Sequence, residues 1–179
     1  MKHELRFTGS GGQGVIMATI ILAEAAYYDG KQAIQCQSYG PEARGGSCKA
    51  ECIVDEAKIA YTKVGHPTLL LSLTSQSFEK YSSILDEDAI LVVDSEIEVP
   101  QMYFDNYKVY HLPILQSAKE VIGNAMSANI ICCGVVNEIL KLASWDKVEE
   151  AVVNHIPKGT EELNLKALHY GEELVKNYK

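Results

Sequence analysis

The sequence predicts a three-layer α/β/α sandwich on a mixed, mainly parallel sheet, and three observations predict it. ELRFT at 4–8 alternates Leu5 and Phe7 with polar neighbours, then runs through GSGGQG at 9–14 into a helix from Val15 to Tyr28, a β-loop-α unit. TLLLSLT at 68–74 and AILVVDS at 89–95 are continuous apolar runs, the pattern of strands covered on both faces. From 117 to 177 the chain reads as helix, interrupted at Ser144 and Gly159. Helices of this number can cover both faces of one sheet.

The first helix carries Val15, Ile16, Ile20, Ile21, Leu22, Ala23, Ala25 and Ala26, apolar over most of its circumference, which requires cover on more than one side. Asp29-Gly30 ends it. Residues 31–39 and 47–62 read as strands flanking GPEARGGS at 40–47, with Asp55-Glu56 the turn of a hairpin between SCKAECIV and KIAYTKV, so this portion is expected to be antiparallel. SQSFEKYSSIL, between the two continuous runs, reads as helix, and KVYHLPI at 108–114 as a further strand. The tail divides into helices at 117–142, 145–155 and 160–177, with Gly123-Asn124 kinking or dividing the first. No repeat, low-complexity tract or linker interrupts the pattern. At 179 residues the expectation is one domain spanning 1–179.

A net charge of -8, with sixteen basic residues scattered along the chain, argues against a general nucleic-acid surface, which needs clustered Lys and Arg. No apolar run reaches the length of a membrane span, and MKHELRF leads directly into a strand without a signal-peptide core, so cytoplasmic residence is expected. The five cysteines, Cys36, Cys48, Cys52, Cys132 and Cys133, contain no C-x-x-C pair, which disfavours a disulfide scaffold or a zinc ribbon. Most are expected as small buried hydrophobes. The five histidines are dispersed and lie in no ligand motif, so no metal site is expected.

Two loops carry the functional signal. GSGGQG lies between a strand and a helix N-terminus, where unpaired N–H groups and the helix dipole favour an anion and glycine lets it approach. GPEARGGS places Arg44 among turn residues that bend the backbone on both sides of it. Both loops follow early strands, and in open α/β sheets ligands gather at the C-terminal strand edge, so the two loops would face one cleft, suited to a diphosphate or carboxylate. The bland readings stand beside this: a structural glycine turn, and an arginine paired with Glu42 or facing water. Gly9, Gly11 and Gly14 satisfy G-x-G-x-x-G, yet the acidic residue a dinucleotide ribose requires is missing from the region of Gln35, Gln37 and Ser38. No G-K-[ST] follows, Ser10 and Ser47 lack an evident histidine, and neither G-x-S-x-G nor H-E-x-x-H is present. No catalytic residue is assigned.

GSGGQGVIMATIILAEAA at 9–26 and QSYGPEARGGSCKAE at 37–51 together resemble the gamma subunit of 2-oxoacid:ferredoxin (acceptor) oxidoreductases, the 2-oxoglutarate branch most closely. LLLSLTSQSFEKY, AILVVDSE and the stretch around Ser127-Ala128-Asn129 extend the likeness over most of the chain. The resemblance implies the fold of domain III of pyruvate:ferredoxin oxidoreductase, as a separate subunit. It implies alpha and beta subunits carrying thiamine diphosphate and Mg2+, iron–sulfur clusters on partner chains, a ferredoxin-like delta subunit, and ferredoxin or another acceptor. The thiamine signature, a GDG stretch followed by an asparagine pair, is absent here, as are the clustered cysteines of an iron–sulfur site. For this chain it implies a part in closing the active-site region and binding coenzyme A, carried over to Gly11, Gly12, Gln13 and Gly14 and to Glu42, Arg44, Gly45 and Gly46. Tyr27, Tyr28 and Tyr39 are candidates for the subunit interface. A stand-alone nucleotide-binding oxidoreductase and a purely structural assembly subunit are the alternatives.

Overall fold

β1 (His3–Ser10) is the pivot of a six-stranded sheet in the computed structural model, which describes residues 1–37 and 46–179. On one side β1 pairs in parallel with β4 (Leu69–Ser72), which continues into β5 (Ile90–Asp94) and β6 (Lys108–Leu112), all parallel. On the other it pairs antiparallel with β3 (Ser47–Asp55), whose far edge pairs antiparallel with β2 (Gln32–Gln37). The order is β2-β3-β1-β4-β5-β6, so β3 alone opposes the common direction, the mixed and mainly parallel sheet expected.

The continuous apolar runs are divided between two cores. Leu69, Leu71 and Val92 point with Leu5 and Phe7 into the larger one, while Leu70, Leu91 and Val93 point into the smaller one. A pleated strand sends neighbours to opposite faces, so LLL and ILVV are buried throughout only because helices cover both. Into the larger core pack α1 (Val15–Tyr28), α5 (Ala128–Leu140), α6 (Trp145–His155) and α7 (Glu161–Lys176). Phe78 of α2 (Ser75–Tyr81) fills the smaller core, with Tyr103 of α3 (Gln101–Asn106) edge-on to it at 5.0 Å. α1 has the boundaries its pattern predicts, and Gly30 (φ 81) ends it while Lys31 N–H bonds back to the Ala26 carbonyl at 3.0 Å.

Three expectations need correction. Residues 58–64 do not form the second arm of a hairpin, because β3 already has a partner on each edge. They lie over the polar face of β1 instead: Tyr61 OH donates to Glu4 Oε1 at 2.6 Å, and the Arg6 guanidinium donates to the Val64 carbonyl at 2.9 Å. Arg6 also pairs with Glu51 across the β1–β3 ladder at 2.8 Å, with both side chains buried. The helix expected over 75–85 stops at Tyr81, where Ser82 leaves the helix and its hydroxyl meets Tyr103 OH at 2.8 Å. The strand expected to 114 ends at Leu112, since Pro113 has no N–H for the ladder and precedes α4 (Ile114–Ser117). The division expected at Gly123-Asn124 is present: at Gly123 (φ 80) the stretch separates into a π-helical turn, Ala118–Ile122, a 3-10 turn, Ala125–Ser127, and α5, which ends at Leu140. α3, after Pro100, has no counterpart in the sequence reading.

Candidate functional site

The glycine loop joins β1 to α1 at the C-terminal edge of the parallel strands. Gly12 (φ 90) and Gly14 (φ 74) adopt the left-handed conformation, and Gly14 is the N-cap of α1. The Gln13 side chain folds back beneath the loop, its Oε1 accepting from Ser10 N–H at 2.8 Å. A methyl group on Gly9 would stand 2.4 Å from that oxygen. Gln13 therefore satisfies one loop donor internally. The N–H groups of Gly11 and Gly12 bond to no described residue and both glycines are exposed, next to the positive end of a fourteen-residue helix.

Register brings the start of β3 to the same edge. Ser10 is paired with Ser47, so Gly46 lies beside the glycine loop, and Gln37, the last residue of β2, ends at this edge. Ser47 Oγ is buried and has no hydrogen-bond partner among the described residues. Glu42, Arg44 and Gly45, like Tyr39, lie outside the described residues.

Asn129, in the first turn of α5, closes the other side. A methyl on Gly14 would fall 2.7 Å from its Nδ2, so the starts of α1 and α5 meet edge to edge. The Asn129 side-chain amide makes no hydrogen bond within the described residues and is half-buried. The sequence reading held the Ser127–Asn129 stretch only as part of a resemblance; an asparagine just inside a helix start was the local signal. Among the described residues the arrangement offers neutral donors and two helix N-termini, which suits holding an anion, and no proton shuttle or nucleophile.

Other candidate groups are structural. Asp94, at the end of β5, is fully buried; Oδ1 accepts from Glu96 N–H at 3.0 Å and Oδ2 from Leu115 N–H at 2.8 Å, which ties the turn after β5 to α4. Burial raises its pKa, and the backbone donors oppose that rise. Cys48, Cys52, Cys132 and Cys133 are buried as expected and Cys36 is half-buried. Desolvation pushes the Cys52 thiol up to about 12, so it stays protonated. A cavity of about 550 Å³ opens at the opposite edge of the sheet, beside His3, Thr68 and Ile90 where β1, β4 and β5 begin, away from the glycine loop. The dinucleotide reading also fails on topology: the strand after α1 is not the parallel neighbour of β1, because β3 lies between them. No helix among the described residues is long and apolar enough to cross a membrane.

Residues 4–174 match the family model described as pyruvate ferredoxin/flavodoxin oxidoreductase. The 2-oxoglutarate synthase subunit KorC of Methanocaldococcus jannaschii is 38% identical over 178 residues, covering 98% of this chain and 95% of that protein. The gamma subunit of a keto/oxoacid ferredoxin oxidoreductase from Geobacter sulfurreducens superposes with a TM-score of 0.88 at 38% identity, over 100% of this chain and 99% of the other. The fold recurs in a 2-oxoglutarate:ferredoxin oxidoreductase from Magnetococcus marinus, with a TM-score of 0.90 at 19% identity, where it covers 99% of this chain and 32% of that one.

Proposed function

The chain belongs to the pyruvate ferredoxin/flavodoxin oxidoreductase family, and we propose that within it the chain is the gamma subunit of a multisubunit 2-oxoglutarate:ferredoxin (acceptor) oxidoreductase, an enzyme that decarboxylates the oxoacid oxidatively to an acyl-CoA. What carries this reading is the end-to-end match to KorC, at 98% of this chain and 95% of that one, in contrast to partial overlap with a longer fused protein. In this reading alpha and beta subunits hold thiamine diphosphate and Mg2+, which supply the decarboxylation chemistry. Iron–sulfur clusters sit on partner chains, a delta subunit or ferredoxin takes the electrons, and the complex is cytoplasmic.

The contribution of this chain, residues 1–179 as one gamma-type domain, is to close the active-site region and hold the anionic part of coenzyme A. Gly11 and Gly12 offer N–H donors that bond to no described residue, Gln13 and Gly14 shape the loop, and Gly46 borders it. Glu42, Arg44 and Gly45 complete the proposed contact. Tyr27, 68% exposed on α1, is proposed as part of the face that meets a partner subunit.

The test is reconstitution. The isolated chain should be colourless and turn over no 2-oxoacid, and oxoglutarate- and coenzyme A-dependent reduction of an acceptor should appear only when it joins its alpha and beta partners. Turnover by this chain alone would overturn the reading, as would a complex equally active without it. A thermal shift with NAD or FAD would favour a nucleotide-binding oxidoreductase instead.

A further inference from the structure

The sheet has an outer strand at each side, and the two edges are finished differently. β6 is five residues long, opens with Lys108 and is followed by Pro113, which has no N–H to offer a neighbour. A charge and a proline are means by which proteins keep an edge from pairing with another chain. β2, at the other side, has neither: its six residues, QAIQCQ, carry no charge and no proline. Lys31, just before it, is drawn away to the Leu142 carbonyl at 2.6 Å. The register with β3 runs from Gln32↔Asp55 to Gln37↔Ala50 without a bulge. Among the described residues β3 is the only strand paired with β2, so alternate N–H and C=O groups along β2 point outward with no strand to receive them. None of the six residues is buried.

The surface beside this edge is apolar. α1 covers one face of β2, with Gln35 Nε2 donating to Thr19 Oγ1 at 3.2 Å. A groove of about 310 Å³ runs between the two elements, lined by Ile20, Ala23 and Tyr27 of α1 and Ala33 of β2. Ile20 and Ala23 are half-buried and Tyr27 is exposed, and their spacing of three and four residues places them in one stripe along the helix. Glu24, the acidic residue in that lining, is already held by Tyr28, Asn154 and His155, so closing the groove leaves no unpaired carboxylate behind.

We infer that β2 is the pairing edge for a second copy of this chain, joined antiparallel about a two-fold axis perpendicular to the sheet. This names the partner that meets Tyr27, and it rests on the subunit reading only in taking Tyr27 as an interface residue. The edge selects an extended strand, because another strand's backbone matches its alternating donors and acceptors. Self-complementarity selects a second copy: a two-fold sets β2 against itself, and QAIQCQ brings no like charges opposite one another. Directly opposed residues share a face, so the axis passes beside Ile34 or Gln35 and leaves both copies of α1 on the same side. The two apolar stripes then face each other over the junction.

The isolated full chain tests this without alpha or beta subunits, so its failure leaves reconstitution untouched. Sedimentation over a concentration series is combined with amide hydrogen exchange of residues 32–37, for wild type, Tyr27→Glu and Gln35→Lys. Wild type should form dimers, with the outward amides of β2 gaining protection as concentration rises. Tyr27→Glu alters only the surface of α1 and should weaken dimerisation about tenfold or more. Gln35→Lys brings two ammonium groups together at the junction in either register and should weaken it likewise. A chain that stays monomeric at every concentration would overturn the inference. So would a dimer whose β2 amides exchange as fast as in the monomer, or one that Tyr27→Glu does not weaken, since another face would then be joined. Protection of 32–37 that appears only on adding alpha and beta subunits would give the edge to one of them and overturn the second copy.

Discussion

Gly134 of α5 and Gly171 of α7 face each other across the helix pair with no side chain between them. A methyl on Gly134 would fall 1.9 Å from the Leu168 carbonyl oxygen, and one on Gly171 would fall 2.2 Å from that of Ile131. The obstacles are backbone, which moves only if a whole helix moves. Alanine gains about 1 kcal/mol over glycine in an open helix, whereas overpacking of a fixed core costs about 1–3 kcal/mol or more. Clashes this deep decide the sign. Gly134→Ala and Gly171→Ala should each lower stability by about 2 kcal/mol or more in denaturant unfolding, and an unchanged midpoint would show that α5 and α7 separate freely.

Gly14→Ala combines two penalties, a positive φ of 74° and a methyl 2.7 Å from Asn129 Nδ2, whereas Gly12→Ala, with φ of 90°, meets no atom within 4 Å among the described residues. The backbone penalty is about 1–2 kcal/mol for either. Gly14→Ala should therefore be the more destabilising of the two, and Asn129→Ala in the Gly14→Ala background should recover part of the difference. A double mutant no more stable than Gly14→Ala alone would place the whole cost in the backbone.

Arg44→Ala should leave folding nearly intact, since an exposed pair contributes at most about 1 kcal/mol. If the arginine contacts a bound phosphate, the reconstituted complex should lose about 1.5–3 kcal/mol of coenzyme A binding, or about ten- to a hundredfold in affinity. Arg44→Lys should rescue only partly, because an ammonium cannot reproduce the bidentate fork. Unchanged affinity with failed assembly would make Arg44 an interface residue, and no change in either would return the loop to an ordinary connection.

His169 links α7 to α6, with Nε2 at 2.8 Å from Glu149 and Nδ1 at 3.2 Å from Glu172. Burial opposes its charge, but the bonds to Glu172 and Glu149 outweigh that and raise its pKa above the ordinary 6.5. A raised histidine stabilises the fold fully below its unfolded pKa, and this contribution fades as pH rises through the folded value. The effect is small because the side chain is 42% exposed. His169→Gln should flatten the fall in melting temperature between about pH 6 and pH 8. An identical pH profile would show that the two carboxylates hold the imidazole no better than solvent does.

The glycine loop, the limits of α1 and the doubly covered strands were legible because their signals are local. Glycine spacing sets the turn, apolar residues around a whole helix demand cover, and an unbroken apolar run demands two covered faces. That the loop opens onto a helix start, whose field favours an anion, was legible for the same reason. The tertiary structure alone placed β3 between β2 and β1, which left β3 no edge on which 58–64 could pair, and that segment crosses Glu4 and Arg6 instead. It also brought Asn129 against Gly14, paired Gly134 with Gly171 and left Ser127 buried without a partner among the described residues. These arise from contacts between distant parts of the chain, whose pairing depends on which edges and faces remain unoccupied once the rest of the sheet has formed, a property that no stretch of sequence carries by itself.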